Sequence, residues 1–248
     1  MTRAAVPIQE RGRPLVIVTA RPIIIAIDGP AGTGKSSVAR ELARRLGLDF
    51  LDTGAMYRAA AAIVIDRQIP TSDIGQVVKA VAAADLKFDW KADPPRILAW
   101  DLPIDHRIRQ ADVTDVVSGI ASIPELRRHM VAKQRLIAEQ HRRLVTEGRD
   151  QGSEVFPDAA LKFYLDADPA VRARRRIEQI RAKDGPSAPI DEARMLQDII
   201  DRDRSDSSRA VGPLVCPEDA LRVNTSALGF EQVVNLLEDH VRERIGSL

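Results

Sequence analysis

The sequence predicts an α/β fold, a doubly wound parallel sheet with an inserted small antiparallel subdomain. Three observations predict the sheet. Ile23-Ile24-Ile25-Ala26-Ile27-Asp28 is a continuous apolar run rich in β-branched residues, as in a strand buried on both faces of a parallel sheet. It runs into a glycine-rich stretch, Gly29 to Ser36, after which Val38, Leu42 and Leu46 recur at helical spacing until Gly47. A second strand, Asp49 to Leu51, precedes Asp52-Thr53-Gly54 and a helix from about Ala55, and two such units in succession wind a parallel sheet.

The other elements follow in order. Leu86 to Trp90 and Arg96 to Trp100 alternate apolar and polar residues on either side of Asp93-Pro94-Pro95. That pattern predicts an antiparallel hairpin in an inserted subdomain, residues 70–109, whose small core both tryptophans should pack. A helix is expected from about Pro124 to His141, a strand from Leu144 to Glu147 leading into Gly148-Arg149-Asp150, and a core strand from Leu161 to Leu165. A very basic helix, Pro169 to Lys183, is followed by a loop of turn formers, Asp184 to Pro189. A helix from Asp191 to about Arg204, a strand near Ala220 to Asn224 and an amphipathic helix from Phe230 to Arg244 complete the core, residues 22–69 and 110–248. Residues 1–21 read as an N-terminal extension or extra edge strand: the apolar stretch Leu15 to Ala20 is too short, and too closely flanked by Arg and Pro, for a signal peptide.

Composition narrows the function. With 248 residues, 44% hydrophobic and 29% charged, the chain can bury a large core, which excludes disorder as a description of the whole. A net charge of +1 gives no reason to expect nucleic acid or an acidic membrane as partner, and no apolar run is long enough to span a bilayer. The single cysteine, Cys216, forms no internal disulfide, which suits the cytoplasm, and no Cys/His cluster suggests zinc. His106, His129, His141 and His240 have no ligand spacing. Of 37 basic residues 30 are arginine. Arginine grips phosphates and carboxylates through a planar, bidentate fork, so where these residues sit decides whether the excess is functional or compositional.

Gly29-Pro30-Ala31-Gly32-Thr33-Gly34-Lys35-Ser36 matches G-x-x-x-x-G-K-S between a buried strand and a helix, the context in which this motif cradles a nucleoside triphosphate. Glycines turn successive N–H groups toward the β-phosphate, the helix adds its positive end, Lys35 reaches the β/γ-oxygens and the Ser36 hydroxyl can ligate Mg²⁺. The Asn-Lys-x-Asp of GTPase switches and the Leu-Ser-Gly-Gly of transporter ATPases are both absent.

Five ordered blocks, Ile27 to Ser37, Leu51 to Arg58, Ser118 to Arg127, Gly148 to Ala159 and Arg202 to Leu214, resemble the bacterial cytidylate (CMP) kinases, a branch of the P-loop nucleoside monophosphate kinases. The resemblance implies a P-loop NMP-kinase-like fold with a helical lid at about 170–190, ATP and Mg²⁺ as donor and cofactor, and CMP or dCMP as acceptor. Gly29, Pro30, Ala31, Gly32, Thr33, Gly34, Lys35, Ser36 and Ser37 would hold ATP, with Arg172 and Arg176 closing from the lid. Lys35, Arg149 and Arg209 would be catalytic. Arg58, Arg149 and Arg209 would take the acceptor phosphate, Ser118, Arg127 and Asp150 the cytosine, and Arg202 and Asp206 the ribose, with Thr53 adding a hydroxyl. A cytoplasmic monomer is expected. The alternatives are the same chemistry on UMP or another small acceptor, and a regulatory P-loop protein that hydrolyses nucleotide. Three departures stand out: Ser205 where many relatives carry Arg, Gln151 with Ser153-Glu154 beside the base block, and Asp105-His106-Arg107 in the insertion.

Overall fold

A computed structural model describes residues 22–185 and 189–245. The N-terminal extension and the middle of the expected lid loop lie outside the described residues. Along the chain the elements are β1 (Ile23–Asp28), α1 (Lys35–Leu46), β2 (Asp49–Asp52), α2 (Thr53–Asp66), α3 (Ile74–Ala83), β3 (Lys87–Asp89), β4 (Arg96–Ala99), β5 (Leu102–Pro103), α4 (Ala111–Ile120), α5 (Pro124–Gln140), β6 (Arg143–Gly148), β7 (Leu161–Asp166), α6 (Pro169–Asp184), α7 (Glu192–Ser207), β8 (Leu221–Asn224) and α8 (Phe230–Ile245).

Five strands form one parallel sheet in the order β2-β6-β1-β7-β8. The unbroken apolar run of β1 has the cause the sequence suggested, since both faces of the sheet are covered. Ile23, Ile25 and Ile27 face Val38 and Leu42 of α1 and Val234 and Leu237 of α8. On the other face Ile24, Leu51 and Leu144 meet Met56, Ile120, Leu126 and Met130 of α2, α4 and α5. Full burial of each such aliphatic side chain is worth about 1.5–3 kcal/mol. The carboxyl ends of β1, β2, β6 and β7 open along one edge, where a doubly wound sheet builds its crevice.

The insertion holds a separate antiparallel sheet, β3-β4-β5, with Phe88 opposite Ile97 and Leu98 opposite Pro103. The structure adds two helices that the pattern did not suggest, α3, whose first turn is capped by Asp73 accepting from the Gln76 N–H at 3.0 Å, and α4. Only one tryptophan packs as expected. Trp90 stacks on His141 with ring centroids 3.8 Å apart, and the His141 Nδ1 sits 2.8 Å from Asp49, so this histidine ties the insertion to β2. Trp100 is 42% exposed, with the Arg67 guanidinium 4.6 Å above its ring. Helix α7 runs one turn past the expected Arg204, which puts Asp206 on the helix. No described helix is long and apolar enough to cross a membrane.

Candidate active site

The loop between β1 and α1 is shaped by the main chain. Gly29 has φ of 146°, and a Cβ there would fall 2.0 Å from the Leu165 carbonyl oxygen, so only glycine lets the loop pass this close to β7. Gly34, in the left-handed region, caps α1 with no side-chain hydrogen bond, which leaves the helix N–H groups free of internal capping. Lys35, 4% exposed, donates to the Pro30 carbonyl at 2.7 Å and to Thr33 Oγ1 at 3.4 Å. Burial, with the Arg149 charge nearby, brings its pKa down to about 7. A buried, under-compensated ammonium beside uncapped helical N–H groups fits a polyphosphate.

Ser36 Oγ donates to Glu147 at 2.8 Å, and Ser37 is exposed at the mouth of the loop. Burial and the Glu147 carboxylate push Asp52 up to about 7. A hydroxyl and two carboxylates are all-oxygen donors of the kind a hard divalent cation takes. Such a small oxygen set suits an ion that keeps waters and substrate phosphates in its shell, as Mg²⁺ does.

Arg172 does not stand free over this loop. It is 2% exposed and packs behind Gly32, donating to the Ala31 carbonyl at 3.1 Å and the Ala167 carbonyl at 2.9 Å and pairing with Asp203 at 2.7 Å. Arg175 donates to the Thr225 carbonyl at 2.6 Å, and Arg176 is exposed, with Gln179 as its hydrogen-bond partner.

Beside the loop lies a cleft enclosing about 490 Å³, open solvent included. Its lining contains all nine residues expected to hold an acceptor: Thr53, Arg58, Ser118, Arg127, Arg149, Asp150, Arg202, Asp206 and Arg209. They arrive from α2, α4, α5, the turn after β6, and α7 with the turn that follows it, and buried carboxylates organise them. Asp206, 1% exposed, accepts from Arg149 Nε at 2.8 Å and from Arg209. Burial opposes its charge, but Arg149, Arg209 and Arg202 outweigh that and hold its pKa below the usual carboxylate value. Burial and Arg149 bring Arg202 down to about 10. The Nε groups of Arg202 and Arg209 are buried without a hydrogen-bond partner, a surplus of donors that an anion would satisfy.

Deeper in, Arg127 pairs with Asp150, donates to the Ala121 carbonyl at 3.0 Å and lies 5.2 Å from the Tyr57 ring. On sequence alone Arg127 would be a solvated helical residue, yet it is 1% exposed. Burial pushes Asp150 up despite this partner. Gly212, with φ of 57°, lays the chain after α7 directly on the pair, where a Cβ would come within 2.3 Å of both side chains. Thr53 Oγ1 donates to the Glu147 carbonyl at 2.7 Å, and Arg58 donates to Thr114 at 3.0 Å. Sequence reasoning missed Asp52, Glu147 and Tyr57 as partners; an acidic residue at the carboxyl end of a predicted core strand was the available signal for the first two.

The cytidylate kinase family model matches residues 25–243. Curated relatives are alike over nearly the same span. A cytidylate kinase of Corynebacterium efficiens is 43% identical over 215 residues, 87% of this chain and 92% of the relative. One of Mycobacterium leprae is 41% identical over 226 residues, 91% and 98% of the two chains. A third, of Solibacter usitatus, is 40% identical over 223 residues, 90% and 94%. With the P-loop and the arginine-lined cleft side by side in the fold, this chain belongs to the cytidylate kinase family.

Proposed function

We propose that this chain transfers the γ-phosphoryl group of ATP to CMP or dCMP in a Mg²⁺-dependent reaction, as a cytoplasmic monomer. The observation that carries the reading is the surplus of buried arginine donors in a cleft that adjoins the P-loop. Its support beyond geometry is that the relatives are named cytidylate kinases.

Phosphoryl transfer asks a protein for alignment and for positive charge around non-bridging oxygens. Residues 29–37 hold the donor, Lys35 exchanging its contact with the Pro30 carbonyl for phosphate oxygens. Arg58, Arg149 and Arg209 take the acceptor phosphate, and the last two are already aimed by Asp206. Asp206 keeps lone pairs for a ribose hydroxyl, because a carboxylate has about four acceptor sites and two arginines use two of them. Arg202 serves the same diol. Cytosine presents an N4 donor and N3 and O2 acceptors, so Asp150 and Ser118 supply acceptors and Arg127 a donor, and uracil reverses that pattern. Ser36, backed by Glu147 and Asp52, would hold Mg²⁺, which when bound neutralises charge on the phosphates.

In this reading residues 70–109 form the acceptor-side subdomain, and residues 22–69 and 110–248 the core. The segment near 170–190 is the lid, whose closure excludes water and so suppresses ATP hydrolysis. Arg176 is its phosphate-facing cation, and Arg172 serves the donor indirectly by bracing Ala31. No general base is needed, because the attacking phosphate is already anionic. The test is product analysis with ATP, Mg²⁺ and CMP: ADP and CDP are expected in equal amounts. ATP turnover without acceptor and without CDP would contradict the reading and favour a nucleotide-hydrolysing regulatory protein.

A further inference from the structure

Asp28 ends β1 immediately before the P-loop and is 1% exposed. Its carboxylate is directed sideways, across the sheet. Oδ1 accepts from the Gln151 N–H at 2.9 Å and Oδ2 from the Gly152 N–H at 2.7 Å. These consecutive N–H groups open a π-helical turn, Gln151–Val155, which begins directly after Arg149 and Asp150. Successive N–H groups converging on one point form a seat for an anion, and here the chain's own carboxylate fills it.

The strand register makes this contact consequential. Asp28 lies opposite Gly148, the last pair of the β1–β6 ladder. Arg149 and Asp150 therefore leave the sheet between two fixed points, the ladder behind them and the Asp28 clamp ahead. One buried side chain thus ties the strand that carries the P-loop to the two residues read as gripping the acceptor phosphate and base.

We propose that Asp28 is a positioning residue: it holds Arg149 and Asp150 in register with the P-loop, and so sets acceptor affinity and base discrimination without touching either nucleotide. The proposal rests on the acceptor roles given to Arg149 and Asp150 above. A carboxylate is required because both partners are donors. The near-isosteric amide of Asn offers one acceptor and turns an NH₂ toward the second N–H.

The experiment is steady-state kinetics of Asp28→Asn in the full chain, varying ATP, CMP and UMP in turn, with melting curves. Misplacing reacting groups by a fraction of an ångström is costly, so the KM for CMP should rise about tenfold, kcat should fall, and the CMP:UMP ratio of kcat/KM should drop about tenfold, with the KM for ATP within about threefold. Gln151→Met is the control. It removes buried side-chain contacts, to Thr146 at 2.8 Å and Gln134 at 3.1 Å, and leaves the main-chain donors of the clamp. It should lower the melting temperature and leave acceptor kinetics within about twofold. A folded Asp28→Asn enzyme with unchanged acceptor KM and CMP:UMP ratio overturns the proposal. So does a rise in the KM for ATP alone, which would mean that Asp28 acts through the nearby charge of Lys35. Should Asp28→Asn not fold, Asp28→Ser, which keeps one acceptor in less volume, is read the same way. Asp150→Asn tests the underlying assignment separately: an unchanged CMP:UMP ratio there removes Asp150 from the base site whatever Asp28 does.

Discussion

The donor and acceptor halves of the proposed site are held by different kinds of chemistry. The proposed donor half is one contiguous stretch, Gly29 to Ser37, shaped by main-chain torsions and a close approach to β7. The acceptor half is assembled from five separate segments, and buried carboxylates aim its arginines: Asp206 for Arg149 and Arg209, Asp150 for Arg127. A main-chain cradle tolerates many side chains and depends on the path of the backbone. A side-chain cradle depends on each charge and on the partner that orients it, so single substitutions there should separate affinity, rate and specificity.

The largest expected effect tests the buried ammonium of the donor half. Lys35→Ala should reduce kcat by about a thousandfold or more while calorimetric affinity for CMP stays within a few fold. A large loss of CMP affinity would erase the division between the halves. Arg209→Ala, in the acceptor half, should raise the KM for CMP and lower kcat together, for a loss of about a hundredfold to a thousandfold in kcat/KM, because the phosphate contact proposed for it would tighten in the transition state. An unchanged kcat/KM would remove Arg209 from the site.

Asp206→Asn probes the orienting carboxylate and carries a pH signature. Because its arginines hold Asp206 below its ordinary value of 3.8, its ion pairs stabilise the fold above that pH and are lost as the pH falls through the lower folded-state value. The melting temperature of the parent should therefore exceed that of Asp206→Asn at pH 6 to 8, with the gap closing below about pH 4. A gap independent of pH down to 3 would show that Asp206 acts by packing alone. The smallest effect lies outside both halves. Trp100→Ala should cost about 0.5–1 kcal/mol in chemical denaturation through its contact with Arg67, and leave kcat/KM unchanged.

The same contrast decides what could be read from the chain. The parallel sheet was legible because β1 is apolar from Ile23 to Ile27 and strand-loop-helix units follow in succession, and the P-loop because its residues are consecutive. The acceptor residues could be named only through a resemblance, since nothing local in Ser118, Arg127 or Asp206 says that they meet. Helices α3 and α4 were hidden by the β-branched residues Val77, Val78, Val81, Val113, Val116 and Val117, which blur the helical period with that of a strand. The end of α7 was hidden by Ser205, Ser207 and Ser208, which look like a helix stop; the tertiary pull of Arg149 and Arg209 on Asp206 overrides that preference. Helical spacing put Arg172 on a lid face but could not say that the face turns inward to Ala31 and Asp203. Near-neutral net charge spoke only to long-range fields; locally, carboxylates such as Asp206 and Asp150 offset part of a concentrated arginine charge.

The proposed reading of cytosine by the acceptor half is tested most directly by kcat/KM for CMP against UMP under identical ATP and Mg²⁺. A site built on Asp150, Ser118 and Arg127 should favour CMP by at least about a hundredfold, because uracil leaves buried donors and acceptors facing their own kind. Equal kcat/KM for the two would contradict it.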